Sequence, residues 1–142
     1  MIAADTGYFI ALVDADDALH SVAKQWLSSA KEGWVSTWPV ITETCYLLGA
    51  RFGEAAKADF MHEATHGGLL IWDIPAAAAK TIPQRMRKYT NLPMDLADAS
   101  LLLLAEHLGH GRILTTDQRD FGAYRWKSTR PFTNLMAQGN PP

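Results

Sequence analysis

The chain has one cysteine, Cys45, among its 142 residues. A single thiol excludes an intramolecular disulfide framework and fits a reducing compartment. Between Thr44 and Tyr46 it reads as a small core residue rather than a nucleophile. No apolar run reaches the ~18 residues that a membrane-crossing helix needs. The opening Ile2-Ala3-Ala4 has no basic segment or long apolar leader before it, so a cytoplasmic protein without a membrane anchor is expected. Positive charge is also in short supply: 13 Lys and Arg stand against 15 Asp and Glu, a formal net charge of −2. Binding a polyanion by bulk charge is therefore excluded, and nucleic acid would need local basic patches or a bound cation. Repeats, linkers and low-complexity tracts are absent. What remains, 48% hydrophobic and 20% charged, describes one ordinary globular domain. Its expected span is residues 1–137, with a short flexible tail at 138–142.

Apolar patterning alternates strands and helices. Ile2 to Ala4 reads as a buried strand ending at Asp5-Thr6-Gly7, and His20 to Ala30 has helical spacing. Trp34-Val35 begins a second strand, with Ser36 or Thr37 capping a helix that carries Pro39 in its first turn. A helix over Glu54 to Thr65 ends at Gly67-Gly68, and Leu69 to Trp72 is a third strand. Ala76 to Lys88 is a helix interrupted near Pro83, and Asp95 to Leu108 is the strongest helical pattern in the chain. Arg112 to Thr115 is a fourth strand, and Arg130 to Thr133 a fifth at an edge. The expected fold is a three-layer α/β domain with a mainly parallel sheet of four or five strands.

In such sheets ligands bind beyond the carboxyl ends of the strands. Asp5 and Asp117 each follow a strand, Asp95 and Asp98 open the strongest helix, and Glu43 sits two turns into another. Acids beside buried segments are costly unless paired, hydrogen-bonded or bound to a cation. No obvious Lys or Arg accompanies these five, which points to a divalent metal. Mg²⁺ and Mn²⁺ prefer oxygen ligands and keep several waters, so a few carboxylates suffice. Asp95 stays open between ligand and helix cap, since Asp is favoured in a first helical turn. Asp120 reads as solvated or as a helix start, and Asp14, Asp16 and Asp17 as a solvated loop.

A second motif competes. His62-Glu63-Ala64-Thr65-His66 is a literal H-E-x-x-H, which places two histidines on one helical face as zinc proteases do. Gly67-Gly68 ends that helix at the second histidine, and no third ligand follows at a matching spacing. A receiver-type phosphotransfer domain is disfavoured because the first strand ends in one Asp rather than a pair.

The stretches Asp5-Thr6-Gly7-Tyr-Phe-Ile-Ala-Leu, Thr42-Glu43, Leu96-Ala-Asp98-Ala-Ser-Leu-Leu-Leu-Leu-Ala-Glu and Ile113-Leu-Thr-Thr-Asp117-Gln-Arg-Asp-Phe121 occur in this order along the chain. In order and spacing they resemble the PIN-domain nucleases, and most closely the VapC-like toxins of bacterial toxin–antitoxin pairs. The resemblance implies a Mg²⁺- or Mn²⁺-dependent endoribonuclease with a catalytic set of Asp5, Glu43, Asp98 and Asp117. Asp5, Asp98 and Asp117 would hold metal, with Asp95 a less certain ligand, while Glu43 positions or deprotonates the attacking water. Thr6 and Thr116 are hydroxyls placed to support carboxylate or phosphate. The implied partners are RNA, a small antitoxin and a second copy of the chain; Trp26, Trp34, Trp38 and Trp72 are the apolar surface offered for the last. Arg112, Arg119, Arg125, Lys127 and Arg130 form one basic patch for RNA, with Tyr124 and Trp126 as stacking platforms between them. Arg85, Arg87 and Lys88 form another. The competing reading is an inactive PIN-like module that binds RNA or protein without cleaving it.

Overall fold

The computed structural model describes residues 1–137; the expected tail at 138–142 lies outside the described residues. In chain order the elements are β1 (Ile2–Ala4), α1 (Thr6–Val13), α2 (His20–Ser29), β2 (Trp34–Thr37), α3 (Trp38–Phe52), α4 (Glu54–His66), β3 (Leu69–Trp72), α5 (Ala76–Ala79), α6 (Ile82–Lys88), α7 (Leu96–Leu108), β4 (Arg112–Leu114), α8 (Gln118–Ala123), β5 (Arg125–Trp126), β6 (Arg130–Pro131) and β7 (Thr133–Asn134). Among the described residues no helix is long and apolar enough to cross a membrane.

Five strands form a sheet in the order β3-β2-β1-β4-β7, every neighbouring pair parallel. β1 lies at the centre, with Ala3 opposite Val35 on one side and Ile113 on the other. Its three residues are fully buried, as expected of a parallel strand covered on both faces. α7 packs against β1, β2, α3, α6 and β5, which explains its unbroken apolar run: Leu101 to Leu104 are all buried because the helix has neighbours all round. Gly109 ends it in the left-handed conformation, φ 79°.

Three expectations are corrected. The fifth strand is β7, which begins at Thr133, the last residue of the expected Arg130–Thr133 strand, while Arg130 belongs to an antiparallel hairpin with β5. The hairpin forms because Trp126 is buried and its indole N–H donates to the Pro131 carbonyl at 3.1 Å. Tyr124 and Trp126 are 0% and 5% exposed, so they are core residues and offer no face to an RNA base. Trp26 is likewise buried, Trp34 donates to the Tyr8 hydroxyl at 2.8 Å, and Trp72 stacks on His107. Only Trp38 of the four named tryptophans is broadly exposed, at 45%.

Candidate active site

Asp5 leaves the central strand at its carboxyl end and caps α1. One carboxylate oxygen accepts from the Thr6 backbone N–H at 2.7 Å and the other from the Thr115 hydroxyl at 2.8 Å. Burial drives its pKa up to about 6; the Thr115 and Thr6 hydrogen bonds oppose the rise, and the nearby Glu43 and Asp117 charges add to it.

Thr115, at the end of β4, is fully buried and does what was expected of Thr116. Its hydroxyl donates to Asp5 and accepts from the Asp117 backbone N–H at 3.0 Å, tying two of the acids together. Thr116 packs instead against Gly7, where any Cβ would collide with its hydroxyl; the first helical turn can thus approach β4 only as glycine. Thr6 is buried, with its hydroxyl on the Val40 carbonyl at 3.5 Å and beside Glu43.

Asp95 and Asp98 form a reciprocal capping box on α7. The Asp98 N–H donates to the Asp95 carboxylate at 2.8 Å, and the Asp95 N–H to the Asp98 carboxylate at 3.2 Å. Asp95 is therefore the helix cap, and Asp98 is part of the cap as well as of the acid cluster. Position within the helix does not exclude capping, since a third-residue carboxylate reaches back to a free backbone N–H. Asp98 is pushed up to about 8, by burial first and then by the charges of Asp95 and Asp5. The buried Tyr124 hydroxyl lies 3.4 Å from its carboxylate. Burial and the Asp98 charge hold that phenol well above its ordinary value.

Glu43, half-buried on α3, is raised by burial and by the Asp95 charge, with the Thr6 hydroxyl acting against the rise. Asp117 caps α8, accepting from the Asp120 N–H at 2.9 Å. Asp120 stands in the first turn of α8, the helix start that was one of its two expected places. It is half-buried and raised by burial and by its hydrogen bond and charge interaction with Asp117. The sequence hid Thr115 because its role depends on how the chain turns after β4; a polar residue closing a strand beside an acid is the signal that could have found it.

One end of the sheet thus gathers Asp5, Glu43, Asp95, Asp98, Asp117 and Asp120, whose charges act on one another. Among the described residues no three such side chains already converge on a single ion position. Their chemistry nonetheless suits a hard cation held by one or two carboxylates with waters completing its shell. Every donor is an oxygen, and a cation would offset the burial and, after it, the mutual repulsion that raise Asp5 and Asp98.

Other expected residues are elsewhere. Arg112 stands at the opposite end of β4 in a bidentate pair with Glu32, which also binds the amino terminus, and is removed from the RNA patch. Arg119 is beside Asp120 and lowers its pKa, while Arg125 and Lys127 lie on the β5–β6 hairpin. His62 and His66 stack on each other on α4 with centroids 4.4 Å apart; His66 Nδ1 is 3.1 Å from the His62 carbonyl.

Acids at the carboxyl ends of β1 and β4 and at the start of α7 stand where the resemblance to PIN-domain nucleases placed them. The chain belongs to the PIN-domain family, whose model matches residues 2–127. It is 30% identical over 124 residues to ribonuclease VapC26 of Mycobacterium tuberculosis, covering 85% of this chain and 90% of that protein. It is also similar to the crystal structure of Mycobacterium tuberculosis VapC20, described as a sarcin–ricin loop cleaving toxin. There the TM-score is 0.80 at 23% identity, over 92% of this chain and 100% of that one.

Proposed function

We propose that this protein is a divalent-metal-dependent endoribonuclease and the toxin of a toxin–antitoxin pair. The observation that carries the reading is the gathering of carboxylates near Asp5 at one end of the sheet, without a cationic side chain bonded to Asp5, Glu43, Asp98 or Asp117 among the described residues. Family membership and the likeness to ribonuclease VapC26 support it. The intact acidic set speaks against an inactive binding module.

Asp5 and Asp98 would hold Mg²⁺ or Mn²⁺, and Asp117 would hold it directly or through water. When bound, such an ion polarises a phosphoryl oxygen and acidifies a water. Thr115 orients Asp5 by donating to it, and its bond to the Asp117 N–H fixes the turn that carries the third acid. Glu43, made more basic by burial and by the Asp95 charge, is suited to accept a proton from the attacking water. Wild-type protein should cleave single-stranded RNA in Mg²⁺ and lose that activity in EDTA, and Asp5→Asn should lose it in both. RNA left intact by a folded wild-type chain in Mg²⁺ and in Mn²⁺ would sink this reading.

The partners follow the same reading: an antitoxin, a second copy of the chain, and a cytoplasmic setting. An apolar groove of about 630 Å³, walled by Phe9, Leu12, Leu27, Trp34, Phe60 and Leu69, is a surface of the kind that protein partners cover. Trp38 and Tyr46, 45% and 75% exposed on α3, support self-association. Sedimentation velocity should show a dimer that Tyr46→Arg weakens; a wild-type monomer at micromolar concentration would remove the homodimer.

A further inference from the structure

α7 carries Asp98, Leu102 and Glu106 at four-residue intervals, so the three lie along one face. Asp98 belongs to the carboxylate cluster. Leu102 and Glu106, about 6 and 12 Å further along the axis, line a separate cavity of about 470 Å³. Its other walls are α6, through Arg85 and Lys88, and the β5–β6 hairpin, through Arg125 and Lys127. Arg85 and Lys88 of one basic patch legible in the sequence thus share a cavity with Arg125 and Lys127 of the other, while Arg87, Arg112, Arg119 and Arg130 are not among its walls. Arg85 and Glu106 neutralise each other in a bidentate pair, both contacts 2.7 Å. Among the described residues no carboxylate pairs with Lys88, Arg125 or Lys127. A chain of net charge −2 therefore concentrates positive charge in one concavity.

The hairpin tip is held there at a conformational cost. Lys127 and Ser128 are consecutive non-glycine residues with φ of 46° and 65°, a region side chains normally avoid. The Lys127 N–H donates to Glu106 at 2.8 Å and Lys88 Nζ to the Ser128 carbonyl at 3.1 Å, so α6 and α7 pin the strained turn over the cavity. Tyr89 connects it to the acids. Its hydroxyl accepts from the Arg125 N–H at 2.9 Å, its ring meets Tyr124 edge-on at 4.9 Å, and Tyr124 reaches Asp98.

We propose that this cavity takes a backbone phosphate of the RNA strand, adjacent to the phosphodiester presented to the carboxylates. The inference rests on the ribonuclease reading above. Carboxylates repel a polyanion, and a cationic hold further along the strand offsets that repulsion and sets the register in which the strand crosses the acids. Lysines and an arginine around a concave wall are the chemistry that phosphate oxygens require.

The test uses the full chain and a short fluorescein-labelled single-stranded RNA of mixed sequence. Binding is followed by anisotropy across a salt series in an Asp5→Asn background, and cleavage kinetics in the otherwise wild-type chain. Replacing Lys88 and Lys127 together by Gln, both exposed, should weaken binding about tenfold and lower the salt slope by about 1, with a raised KM in cleavage. The same charge loss at Lys24 and Lys31, exposed on the α2 side, should leave binding and slope unchanged. Equal effects from the two pairs would mean bulk charge and overturn the subsite. An unchanged Lys88/Lys127 variant, with wild-type cleavage intact, would overturn the subsite and leave the nuclease standing. Wild-type protein that neither binds nor cleaves RNA would remove both. Circular dichroism melts of each variant confirm the fold.

Discussion

The two ends of the parallel sheet treat carboxylates in opposite ways. At the amino end of β4, Glu32 is clasped by Arg112 and the chain's own amino terminus, and its pKa falls to about 2. At the carboxyl end, Asp98 is half-buried among other acids and rises to about 8, and the buried Asp5 to about 6. One end is an electrostatically complete ion pair; the other carries a surplus of negative charge. A surplus of that kind is what a partner from outside the chain would complete, so the proposed function puts the site at the carboxyl end and scaffold at the amino end.

Matched substitutions at the two ends should separate most sharply. Asp98→Asn removes a carboxylate proposed to hold metal while keeping its shape and a cap-forming oxygen. It should cost several kcal/mol of transition-state stabilisation, roughly a 10²–10³-fold fall in kcat/KM. Glu32→Gln breaks an ion pair and should leave cleavage unchanged while lowering stability by no more than about 1 kcal/mol. Comparable activity losses from both would erase the distinction. Thr115→Val sharpens it with a smaller effect. It keeps the volume, strips Asp5 of a donor and leaves the Asp117 N–H unpaired, at a stability cost of about 1–3 kcal/mol. Mn²⁺ affinity should fall with it, and calorimetry showing wild-type affinity would reduce Thr115 to a packing role.

The contrast also marks how far the sequence could be read. The alternation of elements and the strand-end positions of Asp5 and Asp117 were legible because a parallel sheet needs short apolar strands, and the residue after each strand emerges on one edge. Glu43 and Asp98 were legible through their places in amphipathic helices and through family resemblance. Arg112 was misplaced because adjacency in sequence to Thr115 and Asp117 hides a reversal: a strand's first residue lies at the other end of the sheet from its last. Trp126 and Tyr124 were misread because a hairpin of two-residue strands leaves almost no periodic signal, so nothing in the pattern showed that both rings turn inward. The exchange of Thr116 for Thr115 is a one-residue matter of which hydroxyl faces Asp5, which only the backbone path after β4 decides.

Thermal unfolding of the metal-free and Mn²⁺-loaded protein between pH 5 and pH 8 tests the central claim most directly. Asp5 and Asp98 bind protons more tightly folded than unfolded, so in EDTA their contribution to stability declines as pH rises from the ordinary carboxylate value of 3.8 through about 6 and about 8. Glu32 has the opposite sign, but its contribution is lost only as pH falls from 4.5 toward about 2, outside this window. His110, whose pKa is lowered mainly by burial, acts against the decline near pH 6.5 and is common to wild type and variant. The account predicts that the EDTA melting temperature of wild type falls toward pH 8 relative to Asp98→Asn, and that Mn²⁺ at pH 8 raises wild type well above the variant. Parallel pH profiles for the two proteins, with no added stability from Mn²⁺ at pH 8, would contradict it.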